Sequence, residues 1–362
     1  MAKAMYIGVS GTARKVKKMY GGVSGVARRI KKGFVGVGGI ARLFFSGDGV
    51  IYYGTAAPLS VARSGHAATV IGNYALFGGG GDSNAVDAYS ASLQHSTPTP
   101  LRVARDSLAA TTVGNYGLFG GGASSITSSD VVDAYDSSLQ RSAPTSLLLH
   151  RRGLAAAAVG GYALFGGGYN NGVLNSVDAY DASLQRSTPA SLGTARERLA
   201  ATTVGQYALF GGGSSNSARV DAYDTSLQRS TPTPLSTSFT APAATTIAGF
   251  AVFAGGATDG AVNAYDGSLQ RSTLTPLSQP RSAPAAVTVG KYAVFAGGTM
   301  NEYRAEVDTY DDHLQHSTAD PLSVARGALA AAGLGNYALF AGGGYASSGA
   351  TTAVVDVYLA SE

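Results

Sequence analysis

The chain has 362 residues, only 13% of them charged, with 50 glycines and no cysteine. That length supports a large core and the composition is not that of a disordered chain, while the lack of cysteine removes disulfides, thiolate nucleophiles and Cys-bound metal centres together. The net charge of +4 conceals a division: residues 1–47 carry ten Lys or Arg and no acid, leaving 16 basic and 22 acidic residues, a net of −6, in the remainder, so two regions with different roles are implied.

The first region spans 1–46. Its start, MAKAMYIGVSG, has no apolar run of signal-peptide length, and no later run approaches a membrane span. The product is therefore expected to be soluble, outside the general secretory route and without a membrane partner. Residues 5–46 repeat every 14 residues as MYIGVSGTARKVKK, MYGGVSGVARRIKK and GFVGVGGIARLFFS. Ser10-Gly11, Ser24-Gly25 and Gly38-Gly39 lie between β-prone runs and suit two-residue hairpin turns. Hairpins this thin bury little alone, so the leader is expected to join copies of itself, giving a homo-oligomer, or a larger body. Tyr6, Arg14, Lys15, Tyr20, Arg28, Arg29, Phe34 and Arg42 are its candidate docking residues. A basic arm can contact nucleic-acid phosphates, but an ordered repeat interspersed with Tyr, Phe, Val and Ile is unlike a plain basic tail. An acidic protein surface is the preferred partner.

Seven copies of a longer unit fill residues 47–362. The aromatic residue opening each copy is Tyr74, Tyr116, Tyr162, Tyr207, Phe250, Tyr292 and Tyr337, at steps of 42, 46, 45, 43, 42 and 45. A period in the forties with several β-type runs and no helical pattern marks a propeller blade, which predicts an all-β chain: a seven-bladed β-propeller behind an N-terminal β-hairpin domain. In the first copy, Ala67 to Val70, Tyr74 to Phe77, Ala85 to Tyr89 and the run around Leu93 read as four strands. Leu93 follows Tyr89 by four residues, so the copy holding Tyr358 ends before its outer strand. Ile51 precedes Leu59 by the interval that separates Leu93 from Leu101. Residues 50–56 are expected to supply the missing strand and remove two exposed edges.

The glycine pairs Gly78-Gly79, Gly120-Gly121, Gly166-Gly167, Gly211-Gly212, Gly255-Gly256, Gly297-Gly298 and Gly342-Gly343, each followed by a later aromatic from Tyr89 to Tyr358, resemble the kelch repeat. The likeness covers about residues 49–362 and departs from the family pattern in one respect, the absence of Trp near the last strand. The Gly-Val, Ala-Arg, Lys-Lys leader resembles leaders of bacteriophage and prophage structural proteins of Gram-positive bacteria. That resemblance implies attachment to a virion and a product made in the bacterial cytoplasm.

Catalytic constellations are scarce, so no catalytic residue, cofactor or metal is assigned. His313 and His316 form H-x-x-H, but His316 shares a repeat position with His95, Arg141, Arg186, Arg229 and Arg271, which points to structure. The glycine runs lead from strand to strand with no helix N-terminus to hold a phosphate. Arg63, Arg105, Arg151, Arg196, Arg281 and Arg326 recur at one position; Asp87, Asp133, Asp178, Asp221, Asp308 and Asp356 recur at another. The fifth copy has Phe239 and Asn263 at these places, losing both charges together, as buried ion pairs require. Ligand contacts are expected where copies disagree, between the glycines and the V-D-A-Y strand. Tyr169, Asn170, Asn171, Tyr303, Arg304 and Tyr345 there suit a host-surface glycan or protein. The preferred reading is a non-enzymatic virion structural protein. A cellular kelch-type interaction scaffold is second and a polysaccharide-acting enzyme third.

Overall fold

A computed structural model of the protein describes backbone and side chains of residues 49–361, apart from 126, 215–216, 257–258 and 346–348, and the backbone of six strands before them. Those strands pair as three hairpins: Tyr6–Val9 with Thr12–Lys15, Met19–Val23 with Val26–Ile30, and Lys32–Val37 with Ile40–Ser46. Val9 faces Thr12, Val23 faces Val26 and Val37 faces Ile40. The connecting pairs, Ser10-Gly11, Ser24-Gly25 and Gly38-Gly39, lie outside the described residues.

The rest is a seven-bladed β-propeller, and no helix occurs among the described residues. Blade 1 is an antiparallel meander of Ala67–Ile71, Tyr74–Gly78, Val86–Ser90 and His95–Ser96. Blades 2 to 6 repeat it, opening on Ala109, Ala155, Ala200, Ala243 and Ala285. The first strands neighbour one another in a closed circle around an axis, where small residues such as Ala68, Ala110 and Ala156 suit the limited space. Blade 7 takes three strands from the C-terminal end and its fourth, Val50–Thr55, from before blade 1. Ala360 pairs with Val50 and Asp356 with Thr55, with a bulge between Val357 and Tyr358. Gly49 and Ser361 lock the seam through Gly49 N–H to Ser361 Oγ at 2.8 Å and Ser361 N–H to Gly49 O at 2.9 Å.

Each blade packs by the same contacts. A Phe of the second strand meets a Tyr of the third edge-on at 5.7–6.0 Å in all seven. The Tyr hydroxyl donates to a carbonyl of the incoming link, as from Tyr89 to Ala57 O at 2.8 Å. The glycine three residues after the blade's Phe donates its N–H to the link entering the next blade: Gly80 to Arg105 O at 2.8 Å, and around the ring to Gly343 on Arg63 O at 2.9 Å. That approach demands glycine at the preceding position too. Gly79 has φ +72°, and a Cβ there would stand 2.6 Å from Arg105 O.

One expected strand is a turn instead. Leu93, Leu139, Leu184, Leu227, Leu269 and Leu314 sit between the third and fourth strands with φ of 60–62°, a region that bulky residues rarely occupy. The fourth strand begins two residues later, at His95 in blade 1. The displacement has a packing reason. Leu139 lies against the preceding blade's cluster that holds Ile71, and Leu184 against the one that holds Val113, so each turn presses a hydrophobic side chain into its neighbour.

Candidate functional site

The recurring charged residues are spent on architecture. Arg63–Asp87, Arg105–Asp133, Arg151–Asp178, Arg196–Asp221, Arg281–Asp308 and Arg326–Asp356 pair at 2.7, 2.9, 2.7, 2.7, 2.6 and 2.7 Å. The arginine side chains are 0–1% exposed, so they present no basic ring to a solvent-filled channel. Each also donates to the carbonyl of the blade's Phe, as Arg63 does to Phe77 O at 3.0 Å. The arginine thus ties the incoming link to the second and third strands of its blade.

A second donor reaches each carboxylate from the fourth strand. His95, Arg186, Arg229 and His316 contact Asp87, Asp178, Asp221 and Asp308 at 2.6, 2.9, 2.7 and 2.7 Å. In blade 7 the closing strand supplies Tyr52, whose hydroxyl donates to Asp356 at 2.9 Å. Burial and that carboxylate push the Tyr52 phenol up to about 12. Burial alone would raise Asp87 and Asp308, but His95 and the Ser60 N–H at the first, and Arg281 and His316 at the second, hold both carboxyls below their ordinary 3.8. In blade 5, Phe239 is fully buried and Asn263 keeps the other bonds, accepting from Ser236 N–H at 2.9 Å and Arg271 at 3.0 Å. The H-x-x-H pair divides: His313 turns to Asp312 at 2.9 Å while His316 serves Asp308.

Antiparallel connectivity sends the incoming links and the variable loops to one face and the short turns to the other. Isolated bridges sew link to loop on the first face: Arg152 with Tyr169, Ser282 with Thr299, and Gly327 with Gly344. The six candidate ligand residues all lie on this face, in two groups. On blade 3, the Arg152 guanidinium stands 5.3 Å from the centre of the Tyr169 ring, with Asn170 and Asn171 exposed beside it. Across the ring, Tyr303 leans from blade 6 toward Gly344, whose Cβ would lie 3.3 Å from its hydroxyl; the adjoining Tyr345 is 44% exposed. Arg304 is engaged by Glu302 at 3.2 Å. Blade 3 and the blade 6–7 junction are therefore separate surfaces. Val61, Val103, Leu148 and Leu149 add exposed apolar groups on the links into blades 1 to 3. Tyr6, Arg14, Lys15, Tyr20, Arg28, Arg29, Phe34 and Arg42 lie on the leader strands, and their side chains fall outside the described part of the structure.

The axial channel holds a cavity of about 360 Å3 lined by small residues and threonines of blades 2 to 6. Innermost strands are sheet edges with unpaired backbone groups, and threonine hydroxyls meet that need. Thr203 Oγ1 donates to Ala158 O at 2.5 Å, Thr246 to Thr203 O and Thr288 to Thr246 O. Thr202 and Thr246 hydroxyls also meet at 2.8 Å. At the link-side mouth, the second residue after each recurring arginine position adopts positive φ, and N–H to carbonyl bonds join successive blades: Ser107 to Gly65 at 2.8 Å, Gly153 to Ser107 at 2.8 Å and Arg198 to Gly153 at 2.7 Å. Sequence reasoning passed over these positions because their chemistry differs from copy to copy. The signal was positional, two residues immediately following a fixed arginine.

No family model matches the sequence, and no curated protein matches it. Among solved structures, one titled "Structure of YjhT" superposes with a TM-score of 0.57 at 12% identity, covering 83% of this chain and 95% of that one. What the two share is the propeller. At that identity the likeness concerns the fold alone.

Proposed function

We propose that the protein is a non-enzymatic, two-part binding protein of a bacteriophage or prophage particle, in which the basic leader docks on the virion and the propeller is displayed for contact with a host-surface glycan or protein. One observation carries this reading. Val50–Thr55 runs from the turn face to the link face, so the chain enters the closing strand on the side opposite the variable loops, an arrangement that would let docking and display use opposite faces. The likeness of the glycine pairs to kelch repeats and of the leader to phage structural proteins supports it further. The exposed Val61, Val103 and Leu149 favour, as the second reading, a cellular kelch-type scaffold with a protein partner.

The test is assembly. Removing residues 1–46 should give a folded propeller that no longer joins purified particles, while the leader fused to a reporter should join them. Attachment through an ordered β interface persists above ~0.5 M salt, where exposed charges are screened within a few Å. Tight binding of DNA or RNA by the leader, falling log-linearly with salt, would overturn the docking assignment. Turnover of wall polysaccharide by the full chain would replace the reading with the enzymatic one.

A further inference from the structure

The mouth of the axial channel is not equivalent all round. On the links into blades 5, 6, 7 and 1 the two residues after the arginine position are Thr240-Ala241, Ser282-Ala283, Gly327-Ala328 and Ser64-Gly65; on blades 2 to 4 they are Asp106-Ser107, Arg152-Gly153 and Glu197-Arg198. Two carboxylates and two guanidiniums are thus confined to one sector. The hydrogen bonds from Gly153 to Ser107 and from Arg198 to Gly153 make that sector continuous. The Glu197 carboxylate overhangs it, for a Cβ on Gly153 would lie 3.3 Å from Glu197 Oε2. Arg152 and Arg198 are exposed and Asp106 and Glu197 half-buried. Unlike Arg102 and Arg304, which are ion-paired, none of the four forms an ion pair among the described residues.

The chemistry of this sector selects a ligand class. Its formal charge is zero, so neither a simple anion nor a cation is favoured. Carboxylates that accept two hydrogen bonds, beside forks that donate several, match pairs of neighbouring hydroxyls. The Tyr169 ring beside Arg152 supplies a flat apolar face. The channel cavity, on the same axis, is uncharged and lined with threonine hydroxyls, and its volume of about 360 Å3 is in the range of small-ligand sites. We propose that the link-side mouth of the channel, on blades 2 to 4, binds the polyhydroxylated end of a glycan through Asp106, Arg152, Tyr169, Glu197 and Arg198. The proposal rests on the display reading above; of that reading's two groups of candidate residues it keeps Tyr169 on blade 3 and leaves out Tyr303, Arg304 and Tyr345 at the blade 6–7 junction.

The experiment uses the fluorescently labelled full chain on an array of immobilised mono- to tetrasaccharides, and on Gram-positive envelope preparations before and after periodate oxidation, which cleaves vicinal diols. Saturable binding to at least one saccharide is expected. Arg152→Ala, Glu197→Gln and Tyr169→Ala should each weaken it tenfold or more with unchanged melting temperature, Arg152→Lys should recover part of the loss, and Tyr345→Ala should bind as the native chain does. Saccharide binding lost in Tyr345→Ala but kept in Arg152→Ala overturns the axial site and leaves the display reading standing. Envelope binding that survives periodate, with no saccharide bound, overturns the glycan inference alone. Binding to neither saccharides nor envelopes removes both.

Discussion

Blade 5 supplies a natural control for the buried ion pairs, and transplanting it into blade 4 measures them. In blade 4, Arg196 contacts Asp221 at 2.7 Å and also donates to Phe210 O at 3.0 Å, while Asp221 retains Arg229 at 2.7 Å and Gly193 N–H at 2.9 Å. Arg196→Phe therefore leaves a carboxylate with two of its three donors, a cost of about 2–3 kcal/mol. Asp221→Asn leaves the buried guanidinium with carbonyls alone, about 3–5 kcal/mol. The double substitution recreates the blade 5 arrangement, in which Phe239 fills the space and Asn263 accepts from a link N–H and the fourth-strand arginine. It should cost about 1–3 kcal/mol, mainly for imperfect repacking. The coupling between the two positions then exceeds about 2 kcal/mol, well outside the few tenths expected of independent sites. Urea unfolding of the four proteins at pH 7, followed by circular dichroism, gives the cycle. A double variant as unstable as the sum of the singles would refute the pairing argument.

His66 is buried in the seam between blades 7 and 1, and a Cβ on Gly342 would stand 2.6 Å from its ring. Burial, and next the Arg63 cation, lower it from 6.5 to about 3, against the opposing pull of the Asp87 carboxylate. Below pH 6.5 the unfolded chain takes up a proton that the folded one refuses, so stability falls toward pH 3 by at most about 1.4 kcal/mol per unit. In His66→Leu, the residue type of blades 2, 3, 4 and 7, that slope should vanish; an unchanged pH profile would contradict it. Asp87 and Asp308 act separately, since their stabilisation is lost only as pH falls below 3.8. Gly79→Ala, with positive φ and a carbonyl 2.6 Å from the new Cβ, should cost about 3 kcal/mol or more, whereas Gly78→Ala meets only the Phe119 ring edge and should cost far less, as Ala254, Ala296 and Ala341 occupy that position elsewhere; equal losses in thermal melts would count against the close-approach account. Removing residues 1–55 should lower the melting temperature by more than about 10 °C through loss of the closing strand, and removing 1–48 should leave it nearly unchanged; equal melting of the two would contradict the seam.

The blade count was readable because one aromatic and one glycine pair recur at nearly constant spacing, and backbone geometry enforces both. The closing strand was readable because the last copy stops before its fourth strand and a β-prone run precedes the first copy, although the match of Ile51 with Leu93 was one residue out of register: Tyr52 pairs with Tyr358 as His95 pairs with Tyr89, and Leu93 is a turn residue. The joint absence of charge at Phe239 and Asn263 pointed to a pair because burial makes a single loss costly. The fourth-strand donors to the same aspartates were harder to see: His95, Arg186 and Tyr52 share only the ability to donate, and Tyr52 lies at the far end of the chain from its acceptor. The left-handed leucine turns left no mark, since leucine is not a residue that local propensity places there. The charged sector at the mouth is a property of three different copies together, visible only once the ring sets Asp106, Arg152 and Glu197 on consecutive blades.

The seam also fixes how the molecule bears load. When the leader is anchored and a ligand is held on the opposite face, tension enters at Val50 and runs along the length of Val50–Thr55. The hydrogen bonds to Val355–Ala360 lie across that direction, so they are strained side by side rather than peeled one after another. A strand held this way resists as a unit, and the tether holds until the whole row gives. The ring's one non-covalent joint is thus loaded in shear rather than peeled open.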